Sequence, residues 1–209
     1  MIVQYAIVAV ISYLLGSIPF GLLITGAAGL GDVRKIGSGN FGATNVLRTG
    51  RRELAALTLV LDAAKGTAAV LIARYWWPGD AMFIAALAAF LGHCFPVWLN
   101  FKGGKGVATF IGVLLGIAWP VGVVFCAVWL IIAFAQRYSS LAGLTASVTA
   151  PIFAYAAWLQ GWAPDGTKFA ATAAVIALIV VWKHRANIAR LLAGTEPKIG
   201  SEKKAAEPT

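Results

Sequence analysis

Three short polar segments of the sequence contain the residue types that bind phosphate groups. The first segment spans residues 37–45 and is followed by Arg48, and its glycines alternate with small polar residues: Ser38, Gly39, Asn40, Thr44 and Asn45. Glycines allow successive backbone N–H groups to converge on an anion. Arg48 adds a forked cation that suits a phosphate. We predict a phosphate cradle here; the alternative is an ordinary Gly/Asn turn that caps a helix starting near Thr44.

The second segment, residues 101–109, joins one apolar run to the next. It contains two lysines among glycines: Lys102, Gly103, Gly104, Lys105 and Gly106. Because a helix should begin directly after it, N–H groups of a helix N-terminus are expected to point toward this segment. It is not a nucleotide P-loop, since Lys105 is followed by Gly106 rather than by Ser or Thr. A flexible glycine loop with membrane-flanking lysines remains the alternative to anion binding.

The third segment, residues 183–196, is basic and contains His184, Asn187 and Glu196. At helical spacing, His184 and Asn187 share one face. This arrangement predicts either a substrate-binding face or a basic helix that touches anionic lipid beside the membrane.

Two further polar features lie inside apolar runs. Asp62 and Lys65 are three residues apart, so they can form an ion pair within one helix, although direct contact with substrate is also possible. For His93 we favour a hydrogen-bonded histidine at the membrane interface over a catalytic residue.

The composition indicates which elements must position these residues. Hydrophobic residues make up 60% of the chain and charged residues only 12%, whereas average soluble domains contain about 25% charged residues. Lipid must therefore cover much of the surface, which predicts an all-α integral membrane protein in a lipid bilayer. The net charge is +9, but the basic residues occupy short gaps between apolar runs, a distribution that argues against nucleic-acid binding. No His/carboxylate cluster has metal-ligand spacing, so we predict no metal and no cofactor.

Hydropathy predicts the membrane-spanning helices. The apolar runs cover residues 2–25, 53–75, 80–100, 107–136, 139–160 and 168–183. As one helix, the fourth run would reach about 45 Å, well beyond a hydrocarbon core of about 30 Å. Trp119 and Pro120 interrupt this run, and proline ends or kinks a helix. We therefore predict two short helices with a tight turn at this point, and seven spanning helices in total.

The loop charges predict the orientation of these helices. Basic residues gather at positions 34–52, 102–105, 137 and 183–198, and the positive-inside rule places all of them in the cytoplasm. Seven helices with the N-terminus outside and the C-terminus inside satisfy this rule, whereas six would leave the C-terminal cluster outside. The three polar segments then lie on one side of the membrane. We predict one polytopic domain over residues 1–198 and a polar, disordered tail over residues 199–209.

Together these segments resemble the bacterial acyl-phosphate:glycerol-3-phosphate acyltransferase family of the PlsY type. The resemblance runs from Gly16-Ser17-Ile18-Pro19-Phe20-Gly21 to Glu196 and includes Ser38-Gly39-Asn40, Thr44-Asn45, residues 101–109 and His184-x-x-Asn187. It implies a seven-helix, N-out enzyme of the bacterial inner membrane. The implied reaction transfers a fatty acyl group from acyl phosphate to the 1-hydroxyl of glycerol 3-phosphate, which yields 1-acyl-glycerol 3-phosphate and phosphate.

The resemblance also implies a role for each segment. Ser38 and Arg48 are expected to serve activity, and residues 103–106 to form the loop that binds glycerol phosphate. His184 and Asn187 are expected to contact substrate, and Glu196 to support structure.

The proton acceptor and one rival function remain open. The His-x-x-x-x-Asp dyad of soluble-type glycerolipid acyltransferases is absent, since Trp98 follows His93 at that spacing and Ala189 follows His184. Our hypothesis is that a phosphate oxygen of the acyl donor accepts the proton, with His184 as the alternative base. The rival function is a small transporter of anions or phosphate esters. We favour the enzyme because the sequence shows no internal repeat and the anion-binding groups gather on one face.

Overall fold

The computed structural model describes residues 2–37 and 39–200, and the regular structure of these residues is entirely helical. Met1, Ser38 and residues 201–209 lie outside the described residues. The α-helices are α1 (Ile2–Gly16), α2 (Phe20–Ala27), α3 (Ala43–Val46), α4 (Arg52–Trp76), α5 (Ala81–Cys94), α6 (Val107–Ile117), α7 (Trp119–Gln136), α8 (Ser139–Leu159), α9 (Gly166–Lys183) and α10 (Arg185–Leu192).

Six of the described helical segments are long and apolar enough to cross a membrane, and α6 is a shorter apolar helix. The first crossing, Ile2–Ala27, consists of α1 and α2 in succession. Pro19 is the N-cap residue of α2, at a position where its missing N–H costs no helical hydrogen bond. The prediction of an all-α membrane protein is confirmed, and the six candidate spans together with the short apolar helix α6 correspond to the seven predicted helices. The predicted orientation stays a prediction.

The predicted break in the fourth apolar run is also confirmed. Helix α6 ends at Ile117, Ala118 adopts an extended backbone with φ −149°, and α7 begins at Trp119. Pro120 lies in the first turn of α7, where its fixed φ favours the helix and its missing N–H is not needed. Gly122 packs directly against Leu115 of α6, so the chain turns back on itself at this point.

Glycines allow two pairs of helices to pack very closely. A β-carbon on Gly112 of α6 would overlap the backbone of Ala63 of α4. In the same way, a β-carbon on Gly16 of α1 would overlap the backbone of Ala89 of α5. Small residues at helix contacts let membrane helices approach backbone to backbone, where dispersion contacts replace the hydrophobic effect as the source of stability. Helix α6 is therefore held closely against α4, and α5 against α1.

The C-terminal segment returns to the bundle after α10. The backbone N–H of Ile199 donates to the carbonyl oxygen of Arg137 at 2.6 Å, and Arg137 Nη2 donates to the carbonyl oxygen of Ile199 at 3.0 Å. Residues 199–200, the first two of the tail, thus form a turn against the start of α8. The prediction of disorder for the rest of the tail falls on residues outside the described part and stays a prediction.

Candidate active site

The second and third polar segments meet in a direct hydrogen bond. Lys105 Nζ donates to Asn187 Oδ1 at 2.6 Å, and Asn187 Nδ2 donates to Glu196 Oε1 at 2.7 Å. Asn187 and Glu196 are buried and Lys105 is half-buried. Because Asn187 accepts with its oxygen and donates with its nitrogen, it joins a cation to a carboxylate without contact between the two charges.

Glu196 is the carboxylate end of this chain of hydrogen bonds. It also accepts hydrogen bonds from the hydroxyl of Ser140 at 2.5 Å and from Arg190 Nε at 2.7 Å. Burial by itself would raise the pKa of Glu196, but the hydrogen bonds from Ser140, Asn187 and Arg190 outweigh it and hold the pKa below its ordinary value. Sequence reasoning missed Ser140, since a serine at the start of an apolar helix carries no signal that its partner lies 56 residues away.

His184 lies between α9 and α10 and is buried. Its Nδ1 is 2.8 Å from the carbonyl oxygen of Val180. Since a carbonyl can only accept, Nδ1 carries the proton and Nε2 has the lone pair. Nε2 faces Gly143 of α8, on which a β-carbon would stand 3.9 Å from it. Burial, and next the charge of Lys105, lower the pKa of His184 to about 4, so the imidazole is neutral at pH 7.

The glycines of the second segment are tied to the end of α5. Gly103 N–H donates to the carbonyl oxygen of Cys94 at 3.2 Å, and Gly104 N–H donates to that of His93 at 3.0 Å. These two N–H groups are therefore used inside the protein, and the first turn of α6 is the part of this segment that has N–H groups without helical partners. Burial lowers the pKa of Lys105 to about 8, against the charge of Glu196, which raises it.

In the first segment, a buried asparagine supports the arginine. Asn45 Nδ2 donates to the carbonyl oxygens of Val33 at 2.8 Å and Ile36 at 3.2 Å, and Asn45 Oδ1 accepts from Arg48 Nη1 at 3.2 Å. Both N–H groups of this amide thus close the loop, where we had expected them to be donors to substrate. The charge of Arg48 contributes to lowering the pKa of Lys105, so the first and second segments lie within electrostatic reach of each other.

The remaining predicted residues of the first segment differ in their contacts. Asn40 Oδ1 accepts from the N–H of Gly42 at 3.2 Å, directly before α3. Helix α3 begins at Ala43, close to the start that we had expected at Thr44. The hydroxyl of Thr44 is 3.2 Å from that of Ser139, the neighbour of Ser140. Gly39 is exposed with φ +69°. The predicted role of Ser38 falls outside the described residues.

Two predicted binding residues of the second segment differ from Lys105 in their surroundings. Lys102 is exposed, and among the described residues its side chain forms no hydrogen bond or ion pair with another predicted site residue. Gly106 has φ +84° and lies against the ring of Phe90. Its left-handed backbone starts α6, a conformation that glycine adopts without strain.

The two features within apolar runs are joined to each other. Lys65 Nζ is 2.7 Å from Asp62 Oδ1, and both side chains are 1% exposed. Lys65 Nζ is also 3.0 Å from His93 Nδ1. The interpretation of Asp62 and Lys65 as an internal ion pair agrees with this geometry, and His93 is buried with a polar partner.

Comparisons with known proteins agree on one family. A family model described as glycerol-3-phosphate acyltransferase matches residues 6–194. A glycerol-3-phosphate acyltransferase of Mesorhizobium japonicum is 63% identical over 92% of this chain and 95% of the relative. One of Rhodopseudomonas palustris is 57% identical over 97% of this chain and 100% of the relative.

Solved structures lead to the same family. The glycerol 3-phosphate form of PlsY (YgiH), an integral membrane glycerol 3-phosphate acyltransferase, matches with a TM-score of 0.84 and 39% identity, over 94% of this chain and 96% of PlsY. The lysophosphatidic acid form of PlsY also has a TM-score of 0.84, with 38% identity. With its helical bundle, its buried polar cluster and these likenesses, the chain belongs to the glycerol-3-phosphate acyltransferase family of integral membrane enzymes.

Proposed function

We propose that this enzyme takes its acyl group from acyl phosphate and transfers it to the 1-hydroxyl of glycerol 3-phosphate. The products are 1-acyl-glycerol 3-phosphate and inorganic phosphate. The observation that carries the proposal is the chain of hydrogen bonds from Lys105 through Asn187 to Glu196, with the charge of Arg48 acting on the same lysine. Two cations and a chain of hydrogen bonds thus lie within electrostatic reach of one another, as a reaction between two phosphate-bearing molecules requires.

The chemistry of the donor explains why charge matters more here than an activated nucleophile. Acyl phosphate is a mixed anhydride with a good leaving group, so its carbonyl carbon needs little further activation. Both substrates carry phosphate, and their mutual repulsion opposes close approach. Cations and helix N–H groups reduce this repulsion, hold the reactants in register and stabilise the oxyanion of the tetrahedral intermediate.

The site residues divide into groups that face substrate and groups that hold them. We assign Lys105 and Arg48 to phosphate binding, and His184 and Asn187 to substrate orientation. We also assign to substrate binding the other predicted residues of the first two segments: Gly39, Asn40, Thr44, Lys102, Gly103, Gly104 and Gly106. Ser38 keeps its expected role in activity. We assign Asn45 and Glu196 to support, because their polar atoms bond to Arg48 and to Asn187, respectively.

The proton of the attacking hydroxyl needs an acceptor. The hydroxyl oxygen adds to the acyl carbon and forms the tetrahedral intermediate. As this intermediate collapses, the bond between that carbon and the donor's phosphate oxygen breaks, and the departing phosphate takes the proton. His184 is a poor alternative base, since burial keeps the pKa of its imidazole at about 4, far below the working pH that suits a general base. Its Nε2 can still accept a hydrogen bond and orient the hydroxyl.

Replacing His184 with glutamine tests this assignment. If the histidine only orients substrate, H184Q retains hydrogen-bonding capacity and should lose no more than about 10-fold in kcat, with an unchanged shape of the pH profile. A general base usually contributes about 10²–10⁴-fold. Measurement of kcat at saturation with both substrates keeps weakened binding apart from lost chemistry. A loss near 10⁴-fold together with a missing acidic limb would make His184 the base.

The donor is tested with the purified protein in detergent. Acyl phosphate and glycerol 3-phosphate should give phosphate and 1-acyl-glycerol 3-phosphate in equal amounts, without a sealed membrane. Acyl thioesters serve as the comparison, since they share the acyl chain but lack the phosphate. Faster acyl transfer from a thioester than from acyl phosphate would contradict the proposed donor while leaving the enzyme class intact.

The site is proposed to face the cytoplasm from the bacterial inner membrane. Its support is the clustering of basic residues at the end of the bundle where α4 begins and α9 ends. A cysteine at position 137, in a background without Cys94 and Cys126, should resist an impermeant thiol reagent in intact cells and react after permeabilisation. Labelling of intact cells at this position would contradict the proposed orientation.

A further inference from the structure

His93 lies at the end of α5 and is 3% exposed. Its Nδ1 is 3.0 Å from Lys65 Nζ. The same ammonium group is 2.7 Å from Asp62 Oδ1 and donates to the carbonyl oxygen of Ile18 at 2.8 Å. An ammonium has three N–H donors and no acceptor, and its three polar neighbours here are the ring nitrogen of His93, the carboxylate of Asp62 and the carbonyl oxygen of Ile18. Lys65 therefore connects α4 to the chain after α1 and to the end of α5.

The contact with Lys65 sets the protonation and the direction of the ring. Since Lys65 can only donate, His93 Nδ1 accepts, and the neutral imidazole carries its proton on Nε2. The Nε2 edge of the ring lies directly against Gly104 of the second segment, where a β-carbon would overlap Nε2. The β-carbon of an alanine at position 104 would thus meet the histidine ring.

His93 contacts both glycine-rich segments. Its carbonyl oxygen accepts the N–H of Gly104 at 3.0 Å, one residue before Lys105. On another side, its ring packs on Phe41 of the first segment, with ring centroids 5.5 Å apart. Phe41 is 2% exposed, so this contact is buried. The side chain of His93 therefore lies between the second segment, which contains Lys105, and the first segment, which leads to Arg48.

We propose that His93, oriented by the buried Asp62–Lys65 pair, is a positioning residue that sets the place of the second segment, and with it Lys105, relative to the first. This inference rests on the proposed function, in which the second segment binds glycerol 3-phosphate. Direct contact of Asp62 or Lys65 with substrate is disfavoured because both side chains are only 1% exposed and already face each other. The pair acts through His93, and His93 acts through Gly104 and Phe41.

A matched pair of variants at position 93 separates the two edges of the ring. In H93N the amide replaces the Nδ1 edge that faces Lys65, but the side chain ends before Gly104. In H93Q the longer side chain reaches toward the place of Nε2. We expect H93N to raise the KM for glycerol 3-phosphate about 10-fold, with kcat within about 3-fold of the wild type, because misplaced phosphate-binding groups weaken binding of the ground state and transition state alike. H93Q should restore the KM to within about 3-fold.

A double variant tests the contact itself. G104A should raise the KM for glycerol 3-phosphate, because the new methyl group displaces the ring of His93. In an H93A background this methyl group has room, so adding G104A should change the KM by less than about 2-fold. Residues in contact show such non-additive effects, whereas independent residues are additive. If the increases in KM multiply, Gly104 acts on the phosphate directly and the positioning role of His93 is contradicted.

The control variant is T67V. Thr67 is also on α4, and its hydroxyl donates to the carbonyl oxygen of Gly112 on α6 at 2.8 Å. Among the described residues, its side-chain hydrogen bonds go to Gly112 and Ala63 and not to the second segment. A purely structural defect lowers the active fraction and hence the apparent kcat, and leaves the KM unchanged. T67V should show at most that pattern. A normal KM with a lowered melting temperature for H93N would give His93 the same structural role and overturn the proposal.

The wild-type enzyme separates this inference from the proposed donor. If it does not use acyl phosphate, the proposed function fails, and the KM for glycerol 3-phosphate can still be compared with the donor that it does use. If it uses acyl phosphate but the KM of H93N is unchanged, the positioning role fails alone.

Discussion

A buried carboxylate at the site end of the helix bundle and an exposed ion pair at the other end have opposite surroundings. At the site end, Glu196 is buried and bonds to groups from α8 and α10. At the other end, Lys168 Nζ is 2.7 Å from Asp80 Oδ1, but the two side chains are 51% and 47% exposed. Exposed tryptophans surround this second end, among them Trp76 and Trp119, as is typical of a membrane interface.

The difference shows where a charged group is held in one geometry. A buried hydrogen-bonded group has few alternative partners, so it holds one geometry, and the loss of a partner leaves an unsatisfied polar atom. An exposed pair can exchange its partner for water at little cost. We therefore expect substitutions at the site end to change catalysis strongly and substitutions at the other end to have little effect.

The largest effect is expected for K105M. This change removes a phosphate-binding cation and leaves Asn187 Oδ1 without its donor. Losing both the charge that binds phosphate and the part-buried hydrogen bond to Asn187 should cost about 2–5 kcal/mol, which corresponds to roughly 30- to 5000-fold in kcat/KM. Steady-state kinetics with glycerol 3-phosphate as the varied substrate measure the loss. A loss below about 10-fold would contradict the assignment of Lys105 to phosphate binding.

Substituting Arg48 by lysine keeps the charge and removes the planar fork. Loss of one bidentate contact in a desolvated site should cost about 2–4 kcal/mol, or roughly 30- to 1000-fold in kcat/KM. The hydrogen bond that Arg48 Nη1 donates to Asn45 is lost as well. Wild-type kinetics for R48K would show that the site needs only a point charge at this position.

A smaller effect is expected from pH. The folded enzyme holds the pKa of Lys105 at about 8 because of burial, and phosphate binding requires the charged form. Raising the pH through this pKa removes the charge, so kcat/KM should fall roughly 10-fold between pH 7 and pH 9. K105R should lack this basic limb, since arginine stays charged. A wild-type profile that stays flat to pH 9 would contradict the predicted dependence on Lys105.

The smallest effect is expected for K168M, at the opposite end. This variant breaks the exposed pair with Asp80, and exposed pairs contribute little because water replaces the lost partner. Both kcat/KM and the melting temperature should match the wild type within error. A clear loss of activity would show that the two ends are coupled, and the contrast drawn between them would no longer hold.

The sequence by itself determined the class of the fold. Apolar runs of spanning length, interrupted at Trp119 and Pro120, predicted the helices and the break that the structure has between α6 and α7. These properties are local, because hydropathy and helix breakers act within one or two turns. For the same reason the glycine-rich and basic segments were recognisable as candidate anion-binding segments, and Lys105, His184 and Asn187 within them.

Only the tertiary structure decided which polar atoms remain available to a substrate. Asn45, Gly103 and Gly104 were expected to bind substrate, yet the amide group of Asn45 and the backbone N–H groups of the two glycines bond to carbonyl oxygens of the protein. Lys105 forms a hydrogen bond with Asn187, which is 82 residues away in the sequence, and Lys65 forms one with His93, which is 28 residues away. Sequence periodicity does not indicate a partner at such a distance. The partner depends on which helices pack together, and small residues at the helix contacts determine how closely their backbones approach.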